Sequence, residues 1–186
     1  MMRQASSFLV RLISALLLAG LAGWSALTAI DRADAASIAR SSDSAFRARL
    51  ASGLPDDGSF EWYGAIADRA MALAEPDTAL AVEAYERALQ MEARDGQMWG
   101  RFAYALYLDG AGREALTRAL AHSYTHMPIG DWEYRKWRLQ FVDLLWEELP
   151  PSIHSAAQIE AAAEDAGWIE SVTPRINTAL AASNPS

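Results

Sequence analysis

The sequence predicts an all-α protein, and its composition supplies the first two reasons. Alanine makes up about a fifth of the 186 residues, and alanine is the best helix former. Strand-forming residues are thinly scattered and do not alternate with polar residues over more than a few positions. The third reason is spacing, because apolar and small residues recur three and four positions apart along most of the chain.

An uncharged stretch near the N-terminus predicts a transmembrane helix. Residues 12–30 are nineteen residues without a charge, and as a helix they would extend about 28 Å, close to the hydrocarbon thickness of a bilayer. Residues 1–11 carry Arg3 and Arg11 and are predicted to stay in the cytoplasm, which places the rest of the chain in the periplasm. A cleaved signal peptide ending near Ala35 and a buried core helix are the alternatives.

The remainder of the chain divides into three parts. Residues 31–58 form a stalk or a leading helix, residues 59–149 a helical domain, and residues 150–186 capping helices with a disordered tail. The loops are short, so successive helices should be antiparallel neighbours. The predicted helices cover about 59–74, 76–92, 97–108, a segment from Gly112 to near Pro128, 131–149, a segment from Ser152 or Ser155 to Gly167, and 168–182 with a kink or delayed start at Pro174.

Charge and missing motifs argue against several classes of function. The formal net charge is −8, and beyond residue 30 there are 14 Lys and Arg against 24 Asp and Glu, which repels nucleic acid and anionic lipid. The chain has no cysteine, so no disulfide or thiolate metal site can form. It also has no glycine-rich phosphate loop, nucleophile elbow or paired acid–base motif. We therefore predict no enzyme, no cofactor and no nucleic-acid partner.

Two groups of ionisable residues need a separate interpretation. His122 and His126 are four apart on one helical face, a metal-capable spacing, but no third ligand is apparent and a His near a helix C-terminus is favourable by itself. We predict no metal site. The acids of 147–148 and 160–165 are interpreted as helix surface.

A spacing close to 34 residues indicates an internal repeat. Ala81 recurs as Ala115, and Pro76 lies 34 residues before Gly110. The run Trp99-Gly100-Arg101-Phe102-Ala103-Tyr104-Ala105-Leu106, with Gly110, Ala115 and the preceding Ala81-x3-Tyr85-x2-Ala88, resembles the tetratricopeptide repeat. The resemblance covers about residues 60–148. Ala93, Ala119 and His122 depart from the family pattern, and an irregular helical bundle remains the alternative.

The resemblance implies a concave groove, lined by the first helix of each hairpin, that binds a peptide or a helix of another protein. Tyr and Arg are frequent anchors of protein interfaces. The alternative for each tyrosine is an ordinary half-buried aromatic, and the alternative for Arg135 and Arg138 is a solvated face paired with nearby acids. The groove positions carried over from the family are Gln97, Gly100, Tyr104, Tyr107, Leu108, Tyr134, Arg135 and Arg138.

These observations together predict a non-enzymatic scaffold, anchored in the inner membrane, whose helical domain binds a protein of an envelope complex. Small anchored repeat proteins often accompany secretion or polysaccharide assembly systems, which is implied by the resemblance only. The alternative is a structural subunit whose single span packs inside a larger membrane complex. A degenerate enzyme or metal protein built on His122 and His126 is a third hypothesis.

Overall fold

A computed structural model describes residues 29–183, and all regular structure in this range is helical, which confirms the all-α prediction. No strand occurs among these residues. The first helix, α1, is described over 29–39. The others are α2 (Asp43–Arg49), α3 (Phe60–Met71), α4 (Thr78–Met91), α5 (Gly96–Leu108), α6 (Arg113–His126), α7 (Trp132–Leu144), α8 (Pro151–Ala161), α9 (Ala166–Val172) and α10 (Pro174–Ser183), with a 3₁₀ turn at Trp146–Glu148 between α7 and α8.

The central helices pack in pairs. α3 packs along α4, α5 packs along α6, and α4 contacts α5, so that the two hairpins are neighbours. α7 contacts both α5 and α8, while α6 contacts α8, which places α7 and α8 beside the second hairpin. α7 and α8 touch each other much less extensively than the helices of the two hairpins do, and they are called the third pair below. α10 then covers α7 and α8 at the C-terminal end.

The first helix of each pair begins at an equivalent N-cap. The side chains of Ser59, Asp95 and Asp131 each accept a hydrogen bond from the backbone N–H three residues later, at 3.2, 2.8 and 3.0 Å. This bond satisfies one of the free N–H groups at a helix start. The three caps are spaced by 36 residues. The period of the first helices is therefore 36 residues, and the predicted spacing of 34 is corrected.

The turn between α5 and α6 depends on a glycine. Gly110 has φ +76°, a left-handed conformation that glycine adopts without steric cost. The N–H of Gly110 donates to the carbonyl of Tyr107 at 3.2 Å, and the N–H of Ala111 donates to that of Leu106 at 2.9 Å. This pair of bonds closes the last turn of α5 and ends the helix where the sequence predicts.

Alanine fills the space between α3 and α4. Ala67, Ala70, Ala81, Ala84 and Ala88 all have 0% exposure. Their small side chains let the two helix backbones approach closely, as the alanine content of the sequence predicts.

The leading helices pack on this first hairpin. Ile38 of α1 and Phe46 of α2 are both 1% exposed. Arg69 of α3 donates two hydrogen bonds to the carbonyl of Ser41, at 3.1 and 3.0 Å, and forms a salt bridge with Asp43. The hydrogen bond from Arg69 holds the pKa of Asp43 below its usual range.

The C-terminal helices divide differently from the prediction. The predicted helix that ends at Gly167 stops at Ala161, because Asp165 caps a new helix by accepting the N–H of Trp168 at 3.1 Å. Pro174 begins α10 as its first residue, where a missing N–H costs nothing.

The predicted membrane span lies at residues 12–30, outside the described residues except for its last two positions. Within residues 29–183, no helix is long and apolar enough to cross a membrane. The predicted tail beyond residue 183 also lies outside the described range.

Candidate functional site

An open groove runs across the first helices of the three pairs. A cavity of about 500 Å³ lies among α1, α3 and α5, and a second of about 370 Å³ lies among α3, α5 and α7. Asp68 of α3 and Arg101 of α5 line both cavities. The two cavities are therefore neighbours on one face of the helix array, around these two side chains, and together they are called the groove below.

The groove is lined by the same helix positions in successive pairs, 36 residues apart. In α3 and α5 these positions are separated by four and then three residues, and in α7 the two that line the groove are four apart, which puts them on one face of each helix. The recurring lining residues are Glu61, Gln97 and Glu133 in one row, Ala65, Arg101 and Trp137 in the next, and Asp68 and Tyr104 in the third.

Asp68 lies at the centre of the groove and joins three helices. It accepts a hydrogen bond from the hydroxyl of Tyr85 at 2.6 Å and one from the guanidinium of Arg101 at 2.7 Å. Burial, followed by the charge of the Asp68 carboxylate, raises the pKa of Tyr85 well above its ordinary value. Tyr85 is therefore a neutral hydrogen-bond donor at physiological pH.

Aromatic rings form one wall of the groove and the layer beneath it. The ring of Tyr104 is perpendicular to those of Trp137 and Phe141, with centroids 5.7 and 5.3 Å away. Trp137 and Phe141 are stacked at 5.8 Å. Edge-to-face and offset arrangements are the favourable ones for aromatic pairs, so these contacts stabilise the wall.

The structure brings some of the predicted site residues to the groove. Gln97, Tyr104 and Tyr134 line it, although Tyr134 is only 6% exposed. Tyr107 and Leu108 are exposed at the C-terminal end of α5 and are not among the lining residues.

The two arginines predicted for the groove lie elsewhere. Arg138 is fully buried, and its Nε donates to the Glu160 carboxylate at 2.9 Å. Arg135 forms a salt bridge with Glu164, whose side chain is 3% exposed. The expectation that Arg135 and Arg138 face a groove is therefore corrected: each turns instead to an acid from the segment that follows α7.

Arg138 is the centre of a buried polar network under α5, α6, α7 and α8. Its guanidinium also donates to the hydroxyl of Ser123 at 2.9 Å and to the carbonyl of Met127 at 2.8 Å. Burial acts to lower the pKa of Arg138, but the hydrogen bonds and charge of Glu160 outweigh burial and raise it. Arg138 therefore stays charged, with the Glu160 carboxylate as its buried partner.

Gly100 is the residue that makes room for this network. A Cβ at position 100 would lie 1.8 Å from the hydroxyl oxygen of Tyr134, which bonds the Ser123 hydroxyl at 2.9 Å. Gly100 is thus buried and has a packing role, and it is not accessible as a groove surface. This corrects the groove position expected from the resemblance.

Burial of Glu160 and Glu164 is the feature that the sequence interpretation missed, since these acids were predicted to be helix surface. Glu160 is 0% exposed and also accepts the N–H of Gly130 at 3.0 Å. The spacing of the N-caps does indicate that Arg138 is buried. With a repeat of 36 residues, Arg138 is equivalent to Ile66 and Phe102, both of which are core residues.

His122 and His126 lie outside the groove. The ring of His122 stacks on Trp99 at a centroid distance of 4.4 Å, and His126 follows at 5.9 Å from His122. No group of three or more potential metal ligands occurs among residues 29–183.

Comparisons with protein-family models, with curated proteins and with solved structures found no match to this chain. The all-α fold and the groove are therefore the observations from which a function is proposed.

Proposed function

We propose that the chain is a non-enzymatic scaffold that binds another protein in the groove across α3, α5 and α7. In this proposal the three helix pairs are an array of the tetratricopeptide type, and residues 12–30 hold it at the inner membrane with its helical domain in the periplasm. The observation that carries the binding role is the groove itself, which is lined by equivalent positions of three successive first helices.

The register of the lining residues supports a binding surface over an accidental cleft. The core positions of the first helices also recur every 36 residues: Ala67, Ala103 and Leu139 all have 0% exposure. The inner and the groove-lining faces of each first helix therefore follow one repeat, as expected for stacked units that together expose a continuous concave surface.

The chemistry of the lining also supports a protein ligand. The groove combines an aromatic wall with the charged pair of Asp68 and Arg101, whose side chains are 45% and 38% exposed. Aromatic residues and arginine are the types enriched at the centres of protein interfaces. An extended segment of a partner can lie along the groove and meet both features.

Site-specific photo-crosslinking tests this proposal in intact cells. We expect a photoreactive amino acid at position Gln97 of the full-length chain to capture one defined protein, identified by mass spectrometry. The same amino acid at Met91, which is 57% exposed and lies outside the groove, is the matched control and should not capture it. Failure to capture any protein from Gln97 and from a second groove position, Glu133, would reject the binding role.

The alternative function is a structural subunit of a larger membrane complex. Here the partner would contact residues 12–30, so a complex purified in mild detergent would keep its stoichiometry when the groove is altered. An Arg101→Glu variant that still co-purifies with the complex, without crosslinks from Gln97, would favour this alternative.

A further inference from the structure

We propose that the groove takes a basic segment of its partner, with Arg or Lys side chains next to apolar ones. This inference rests on the proposed function, since it names the chemistry of the ligand that the groove would bind. It is carried by the balance of paired and unpaired charges along the groove and by the position of the aromatic wall.

Each basic residue of the groove already has an acidic partner. Arg101 is bonded to Asp68, and Arg69 is held by Asp43 and by the carbonyl of Ser41. The positive charge of each guanidinium is therefore already balanced by a carboxylate of the chain.

Acidic groups remain at both ends of the groove. Glu61 lines the first cavity and Glu133 the second, and within residues 29–183 neither carboxylate has a hydrogen bond or a salt bridge. Asp131 lines the same cavity as Glu133, and among the residues that the structure describes its carboxylate accepts only the N–H of Tyr134. The unpaired charge along the groove is therefore negative, in a chain whose residues after position 30 already carry an excess of acid.

The aromatic wall lies in the same cavity as unpaired acids, where it can contact the side chain of a bound Arg or Lys. Trp137 and Tyr104 line the same cavity as Glu133 and Asp131. A guanidinium or ammonium group is attracted to an aromatic face, while its apolar stem packs on aromatic surface. Carboxylates and aromatic side chains in one cavity thus match both halves of an Arg or Lys side chain.

Acids in the first turn of a helix have a second effect, which the test must separate from binding. A carboxylate there stabilises the helix through the N-terminal partial charge, and both Glu61 and Glu133 are second residues of their helices. Glu114 is the second residue of α6, has a side chain 91% exposed and does not line the groove. A Glu114→Gln variant therefore removes a first-turn charge, and with it the salt bridge of Glu114 to Arg118, without altering the groove.

The experiment uses the full-length chain in detergent micelles and a random twelve-residue peptide library displayed on phage. We expect the selected peptides to be enriched in Arg and Lys relative to the library and to crosslink from position Gln97. Binding of a synthetic, fluorescein-labelled copy, followed by fluorescence anisotropy, should weaken about tenfold in the double variant Glu61→Gln with Glu133→Gln. It should also weaken between 50 and 200 mM salt, because exposed charges are screened.

The outcomes separate this inference from the function on which it rests. Unchanged affinity in Glu114→Gln, together with loss in the double variant, supports the basic ligand. Peptides that crosslink from Gln97 but carry no excess of basic residues, or that bind the double variant equally well, overturn the inference and leave the scaffold function standing. A selection that yields no peptide crosslinking from the groove counts against both.

Discussion

Two polar clusters join neighbouring helices, and they differ in their access to water. Asp68, Tyr85 and Arg101 link the first pair to the second at the groove surface, where the charged side chains of the cluster are more than a third exposed. Arg138 and Glu160 link α7 to α8 beneath the surface, where both side chains are 0% exposed. The same kind of ion pair thus occurs in two environments within one fold.

This difference decides what each cluster contributes. An exposed ion pair gains little, since water solvates its separated charges and salt screens them. A buried pair loses its hydration, so both charges depend on each other and on further hydrogen bonds. The Arg138 network meets this requirement through Ser123, the carbonyl of Met127 and the N–H of Gly130. The buried cluster should therefore control stability, while the exposed cluster is free to serve binding.

The largest expected effect comes from removing the buried cation. Arg138→Met leaves the Glu160 carboxylate buried without a counter-ion, which should lower the free energy of unfolding by about 3–5 kcal/mol. The measurement is urea unfolding of the full-length chain in mild detergent, followed by far-UV circular dichroism.

A second variant separates charge from packing at this position. Combining Arg138→Met with Glu160→Met removes the stranded charge and should recover about half of the lost stability or more. Recovery should be incomplete, because the N–H of Gly130 and the carbonyl of Met127 lose their partners. A double variant no more stable than Arg138→Met alone would show that packing, and not the buried charge, sets the loss.

The sequence predicted the helices well because local signals define them. Ser59 and Asp131 cap the helices predicted to start there, and Gly110 ends α5 at the predicted boundary. The helix predicted over 131–149 is the exception: α7 ends at Leu144, and Pro150 is the N-cap of α8. Gln97 and Tyr104 of the predicted groove positions do line the groove.

The contacts between helices could not be predicted from local sequence patterns. Arg138 lies in a basic run of five residues that reads as surface, and its partner Glu160 is 22 residues further along the chain. No periodicity within α7 indicates that an acid from α8 will neutralise it. The predicted spacing of 34 residues is also two residues shorter than the observed 36. It therefore did not align Arg138 with the equivalent core residues Ile66 and Phe102.

An intermediate loss of stability is expected from a substitution at Gly100, the α5 residue that makes room for the buried cluster. Gly100→Ala would put a Cβ 1.8 Å from the Tyr134 hydroxyl oxygen and should cost about 1–3 kcal/mol by overpacking. Adding Tyr134→Phe removes that oxygen and should restore part of the loss in the same unfolding measurement. If the two losses simply add, the tyrosine hydroxyl is not the group that Gly100 accommodates.

The smallest loss of stability should come from replacing the arginine of the exposed cluster with methionine, which is the same substitution as Arg138→Met in the buried cluster. Arg101→Met removes an arginine paired at 2.7 Å with Asp68, but the Asp68 carboxylate stays hydrated and keeps its bond from Tyr85. We expect a loss below about 1 kcal/mol, against the larger loss at Arg138. A loss at Arg101 as large as that at Arg138 would contradict the claim that exposure separates the two clusters. If stability is nearly unchanged, any loss of crosslinking from Gln97 in this variant can be assigned to the groove surface, because the fold that presents it is intact.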